Sequence, residues 1–332
     1  MWIEDYIKLQ FPFDPGEMRI EEAVQLKHEN IPPALYRYRS FNDYSIRNLV
    51  NDQERLSYPI EFNDPYDTAL QVNYDFLAKE LFVQKNMKDM FNGLREGGVE
   101  ISLEKENEIQ NSANPFYSLA KLVAKFDKQL EGTEEEFAKT MTEFCLEQTK
   151  LLFSRFKDSL QTGYLVTCLS EVNDSILMWS HYANNHKGFC IEYNFQELGY
   201  HYPQSRTLFP VIYTDVLFDA TQYLLDTMFR GATNFNNLFG FYPSMCKSTQ
   251  WSYEKEWRII FPLGPNASDE QRVINVPQAK AIYAGARAAT DDVEKLIEIC
   301  RIKRIPLYKI AESETSHHLH PELFFSPDNE VC

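Results

Sequence analysis

WSYEKEWRII, residues 251–260, places two glutamates, Glu254 and Glu256, inside a stretch otherwise suited to a buried strand. In an extended strand residues i and i+2 point to the same face, so both carboxylates are expected side by side with Arg258 next in line. Like charges at that separation raise each other's pKa and cost stability unless a cation sits against them. Two readings follow. Arg258 is that cation on a solvated strand edge, or the pair faces a cleft that handles a cationic or electron-poor substrate.

Outward from this stretch, strand patterns recur at LYRYRS (35–40), GYLVTCLS (163–170), GFCIEYNF (188–195), LFPVIYT (208–214), AIYAG (281–285) and IPLYKI (305–310). Between residues 76 and 162 the apolar residues fall at three- and four-residue spacing, which predicts helices broken at REGGVEIS and LEGT. Further helices are expected over FNDYSIRNLVND, NDSILMWSHYANN, about 215–230 and TDDVEKLIEICRIK, and one short amphipathic helix before the double proline of NIPPAL. The pattern predicts an α+β chain: a helical extension over 1–32, a β-rich body from 33–75 and 163–310, a helical insertion at 76–162 and a tail at 311–332.

Composition narrows the function. A hydrophobic content of 44% supports a core rather than disorder, and a net charge of −16 argues against nonspecific binding to nucleic-acid backbones or anionic lipid. The first residues lack a basic stretch followed by an apolar run, and no segment has the roughly 18 apolar residues of a membrane span. Six cysteines are scattered without a C-x-x-C pair, which fits a reducing cytoplasm better than a disulfide framework or a zinc site. His317, His318 and His320 read as a polar surface loop.

Polar residues set into apolar patterns supply the candidate site. Arg37 and Arg39 alternate with Tyr36 and Tyr38, and an arginine facing a cleft suits a phosphate because its planar fork donates two bonds. EFNDPYD groups Asn63, Asp64 and Asp67 about a proline, an Asx-type turn in its simplest reading. In CLSEVNDSILMWSHYANNHKGFCIEY, Asn173 or Asp174 can cap a helix on which Ser175, Trp179 and Tyr182 share a face. That stripe reads as core, yet His181, Tyr182, Asn184, Asn185 and His186 crowd polar groups before a buried-looking strand, as at a small-molecule site.

Four pieces in this order, LYRYRS, EFNDPYD, CLSEVNDSILMWSHYANNHKGFCIEY and KSTQWSYEKEWRI, resemble a bacterial family known only as domain-of-unknown-function family 2971, over roughly 33–75 and 163–310. More remotely the arrangement is similar to ADP-ribosyltransferases. That likeness implies a β-rich ADP-ribosyltransferase-like body that consumes NAD as substrate, with no metal required. It implies that Arg39 or Arg37 holds the dinucleotide and that Thr167 and Ser170 stand at the serine–threonine–serine strand. Tyr182, beside His181, would stack on nicotinamide, with Glu256 the late glutamate and Glu254 its partner. Asn63, Asp64, Trp179 and Arg258 are further cleft candidates. TCLS departs from the family's S-T-S. The implied role is transfer to an unidentified macromolecular acceptor, in a toxin or phage-defence setting. Two alternatives stand beside it: a nucleotide-sensing or interaction module that has lost the chemistry, and a nuclease holding magnesium with Asp64, Asp67, Glu254 and Glu256. The transferase reading requires the strands of Arg39, Ser170 and Glu256 to converge on one cleft, and fails if Arg39 and Glu256 lie on opposite surfaces.

Overall fold

The computed structural model describes residues 2–128, 131–228, 236–263 and 272–329. The chain divides into two units, one of residues 1–69, 160–218 and 236–332, the other of 70–159 and 219–235. The first is built on a mixed eight-stranded sheet. In chain order its strands are β1 (Leu35–Arg39), β2 (Tyr164–Ser170), β3 (Phe189–Tyr193), β4 (Leu208–Pro210), β5 (Glu256–Pro262), β6 (Ala281–Ala284), β7 (Leu307–Glu312) and β8 (Leu319–Phe325). They lie side by side as β8-β7-β6-β3-β1-β2-β5-β4, antiparallel except for the parallel pair β6–β7. The first unit also carries helices α1 (Trp2–Gln10), α2 (Ile20–Glu29), α3 (Asp43–Val50), α4 (Ile176–Tyr182) and α5 (Thr290–Lys303).

Strand alternation sorts the core. Leu35, Leu169, Ile191, Trp257, Ile259, Ile282 and Leu307 face one side, with Val293, Leu296 and Ile299 of α5 in the same cluster. The other side carries two apolar patches. Tyr38, Cys190, Tyr283 and Ile310 cluster with Met178 and Trp179 of α4. Tyr164, Val166 and Ile260 cluster with Tyr6 of α1, Phe11 and Met245.

Three expectations change. The single N-terminal helix is two, because the chain between them contains Pro12 and Pro15; Trp2 stacks on Trp257 at 6.0 Å, so this segment joins the body's core. The C-terminal segment, read as a tail, supplies β8, an edge strand hydrogen-bonded to β7. The segment read as a helix from about 215 to 230 is Thr221–Met228, grouped with the helical unit, and residues 229–230 lie outside the described residues. In that unit the helices Gln84–Glu96, Leu103–Gln110, Pro115–Val123 and Glu134–Thr162 bury Met87, Phe91, Ile109, Phe116 and Leu119 together.

One buried cation in the first unit has no carboxylate partner among the described residues. Lys27 of α2 is 1% exposed; its ammonium donates to the Arg206 carbonyl at 2.8 Å and lies 4.5 Å above the Phe209 ring. Burial, aided by Arg206, pulls its pKa down to about 7. The unfolded chain then binds a proton that the folded chain releases above pH 7, so this group makes stability rise with pH from about 7 toward the ordinary lysine value. Lys27→Met is expected to raise the thermal midpoint at pH 7 and to flatten that rise. An unchanged slope in melts recorded between about pH 7 and about pH 9.5 would reject the assignment.

Candidate functional site

The site begins where the sheet fails to close. β1 and β2 share one register pair, Tyr36 with Ser170, whereas β1–β3 and β2–β5 are paired along their lengths. Below that pair β2 turns its hydrogen bonds to Ser57, whose N–H and C=O both bond Val166 at 2.8 Å. A cavity of about 340 Å³ occupies the split. Its walls include the consecutive runs Tyr36, Arg37, Tyr38 and Cys168, Leu169, Ser170; neighbours from both strand faces can share one cavity only if it enters between the strands. Phe62, Asn63 and Asp67 close one side, and His181 and Tyr182 of α4 another.

Across this gap runs a chain of alternating charge. Arg258 is fully buried and uses all five of its donors. Nε and Nη2 reach Glu256 at 2.8 and 3.2 Å; Nη1 and Nη2 clasp Asp67 at 2.7 and 2.6 Å; Nη1 also bonds the Ser244 carbonyl at 2.7 Å. Lys247 continues the chain, donating to Glu256 at 2.8 Å and to Glu254, with its ammonium 5.0 Å over the Trp251 ring. Glu254 ends it by accepting the Tyr182 hydroxyl at 2.7 Å.

Glu254 and Glu256 meet at one ammonium, but not as strand neighbours. Thr249–Glu254 is a 3-10 helix, Lys255 turns left-handed at φ 43°, and the strand starts only at Glu256. Ser170 fixes the turn: its hydroxyl donates to the Glu254 carbonyl at 2.6 Å. The outer wall is set by α4, capped by Ser175 rather than by Asn173 or Asp174; Ser175 Oγ accepts the Met178 N–H at 3.3 Å. After α4 the chain passes through three left-handed residues, Asn184, Asn185 and His186, to Gly188. A Cβ at Gly188 would stand 2.1 Å from the Arg39 carbonyl oxygen, so only glycine lets this loop lie on β1.

The two glutamates are driven apart electrostatically. Burial pushes Glu256 up, but Arg258 and Lys247 outweigh it and hold its carboxyl far below the usual range. For Glu254 burial dominates, opposed by Lys247 and reinforced by the Glu256 charge, and the net shift is upward. The same two carboxylates overcome burial at Lys247 and keep it protonated. Three carboxylates (Asp67, Glu254, Glu256) thus meet two cations in this cluster, and Glu254 at the cavity wall is the one whose ionised form is disfavoured.

The other sequence candidates separate. Arg37 reaches across the split, donating to the Cys168 carbonyl at 2.6 Å; its Nε is enclosed without a hydrogen-bond partner, 3.6 Å from Glu54. Burial, then the neighbouring Arg39, pulls its pKa down. Arg39 is not in the cavity. It alternates with Tyr36 and Tyr38, shares the strand face of Leu35, and is bound by Glu54, a buried carboxylate that also accepts the Tyr193 hydroxyl at 2.9 Å. Tyr36, Ser170 and Glu256 are register partners on the opposite face, so Arg39 and Glu256 do not converge. Thr167 falls on the Arg39 side by the same alternation, its hydroxyl buried without a partner. Trp179 is fully buried, edge-on to Tyr38 at 5.2 Å, and is core. Asp64 closes the Asx turn by accepting the Tyr66 N–H at 2.9 Å. His181 is exposed on the cavity wall, and Asn63 lines it. The magnesium reading is displaced by Lys247 and Arg258, which occupy the ground between the carboxylates; among the described residues no group of three or more His, Cys, Asp or Glu is placed to hold a metal. Lys247 was missed by the motif reading although it heads KSTQWSYEKEWRI, because nothing local marks a lysine as buried.

With this geometry in place, residues 178–259 match the model of a family described as "Protein of unknown function (DUF2971)". That segment is similar to the family. It contains Tyr182, Lys247, Glu254, Glu256 and Arg258, while Tyr36, Arg37, Asp67 and Ser170 lie outside it. No curated protein and no solved structure matches the chain. Among the described residues no helix is long and apolar enough to cross a membrane.

The opposed shifts predict opposite mutant phenotypes. Glu256 contributes stability above its unfolded pKa that is lost as pH falls through its depressed folded value, and Glu256→Gln leaves Arg258 short of a counter-charge, at a cost of about 3 kcal/mol. Glu254 titrates higher in the folded state, so its ionisation destabilises as pH rises through that value. Glu254→Gln is expected to gain on wild type as pH rises above the ordinary glutamate range. Equal melting shifts for the two variants at every pH above the ordinary glutamate range would contradict the separation.

Proposed function

We propose that the cavity binds a small molecule carrying a cationic or electron-poor ring together with an anionic group, and that Glu254 meets the ring. The observation that supports this most directly is the buried cluster of three carboxylates against two cations that ends at Glu254, beside the hydroxyl of Tyr182, in a cavity that Tyr36 also lines. An opposed balance lies across the split, where Arg37 and Arg39 face the single carboxylate of Glu54. A ligand with a positive ring and a negative phosphate complements both ends. Nicotinamide dinucleotide in its oxidised form has this character, and it is the ligand that the remote resemblance to ADP-ribosyltransferases implies.

The arginine–serine–glutamate alignment expected of an ADP-ribosyltransferase is not carried forward with Arg39, which is bound on the other face. Arg37 is the arginine that remains at the cavity, and NAD is taken first as ligand. Cleavage of its glycosidic bond is the second reading. It is favoured by the place of Glu254, a cavity-wall carboxylate that accepts the Tyr182 hydroxyl at 2.7 Å. In that reading Glu254, rather than the cation-saturated Glu256, stabilises positive charge developing on the ribose.

Calorimetry with NAD and NADH tests the binding claim, because reduction removes the ring's charge while nearly preserving its shape. Wild type is expected to prefer NAD by about tenfold, about 1.4 kcal/mol, and Glu254→Gln to erase the preference. Equal or tighter binding of NADH would overturn it. Nicotinamide release, followed in parallel, is expected to fall by about a hundredfold in Glu254→Gln if cleavage occurs.

A further inference from the structure

A second cavity, of about 280 Å³, lies where Gln10 of α1 and Val24 of α2 meet Phe209 of β4 and Ile260 of β5, and it shares no lining residue with the cavity between β1 and β2. Phe11 and Phe241 add to a wall that is mostly apolar. Among the described residues its polar members are Gln10, Arg206 and Thr207. Two of these are already engaged. The Arg206 guanidinium donates to Glu21 at 3.2 and 3.3 Å, and the Thr207 hydroxyl donates to the Pro203 carbonyl at 2.9 Å. Gln10 differs. The residue is 7% exposed, and its Oε1 is enclosed with no hydrogen-bond partner, although its backbone carbonyl accepts from Asn236 at 3.1 Å. An enclosed amide oxygen left unmatched is destabilising. A single water would repair it poorly, because a buried water needs two to four polar partners and this wall offers one unmatched group.

We propose that this cavity binds a small neutral apolar molecule carrying one hydroxyl, whose hydrogen Gln10 Oε1 accepts. Size sets the scale of the ligand. An apolar cavity of about 150 Å³ holds one benzene ring, so this one has room for about two fused rings. The unmatched group sets its chemistry. A carboxylate or phosphate would turn acceptor oxygens toward another acceptor, and the one cation on the wall, Arg206, is already paired with Glu21. A plain hydrocarbon would fill the space but leave Gln10 without a partner. A hydroxyl on an apolar body meets both conditions, since apolar contacts supply the affinity and one placed polar group fixes the orientation.

The test titrates the intact chain with naphthol, methylnaphthalene and naphthoate, all substituted at the same ring position, so that only the group set against Gln10 changes. Wild type is expected to bind naphthol saturably and naphthoate more weakly. Gln10→Met removes the acceptor at nearly constant shape. In this variant the ratio of naphthol to methylnaphthalene affinity is expected to fall about fivefold, with the melting temperature of the unliganded chain held or raised. Ile20→Trp, at an exposed position on the cavity wall, is expected to weaken both neutral probes by crowding the space. No saturable naphthol binding by wild type, tighter binding of naphthoate, an unchanged ratio in Gln10→Met, or unchanged naphthol affinity in Ile20→Trp would each overturn the inference. So would a lower melting temperature in Gln10→Met, because it would show that the amide oxygen makes a bond the fold needs.

Discussion

Arg258 is the group on which the first unit's polar interior depends. A guanidinium removed from water costs several kcal/mol unless every donor is matched, and here all five are matched by Asp67, Glu256 and one carbonyl. One of those partners, Asp67, comes from a position 191 residues away in the chain. Satisfying one buried cation therefore pins the 63–67 turn to β5, and the turn in pinning closes one side of the cavity. The charges tie the turn to a strand that β2 and β4 already hold on both sides.

The second constraint is the incomplete pairing of β1 and β2. A sheet gains most when neighbouring strands bond along their lengths, and departure from that needs compensation. Ser57 supplies it on one side by bonding Val166, and Arg37 supplies it on the other by bonding the Cys168 carbonyl. The opening is thus stable as an opening. It also places Glu54 with two arginines on one side of the split and Glu254 of the three-carboxylate cluster on the other, which makes the cavity electrically asymmetric.

Much of the architecture was legible because it rests on local pattern. The alternation in LYRYR, YLVTCLS and EWRIIFP marks strands, and the helical spacing after residue 76 marks a separate helical region. Tyr182 and Glu254 stood out as polar groups in apolar surroundings. Other points were not legible. Glu254 and Glu256 look like strand neighbours, and only the left-handed turn at Lys255 shows that they approach Lys247 from a 3-10 helix and a strand. Arg37 and Arg39 are equivalent by spacing, and their separation depends on where β2 leaves β1. Lys247 carries no sequence signal at all, since a lysine is read as exposed until its partners are known.

What the sequence alone determined is the set of periodicities and the residue chemistry available: which segments are strands or helices, that the chain is mixed α and β, and that carboxylates, arginines and tyrosines recur in apolar settings. These follow from interactions between residues a few positions apart. The tertiary structure decided which charges meet, which glutamate is kept ionised by Arg258 and which is left with a raised pKa, and which arginine enters the cavity. Pairing and burial are long-range quantities, set by the register of β1, β2 and β5 and by a turn almost two hundred residues from Arg258. A local pattern contains no term for the solvent a side chain will lose.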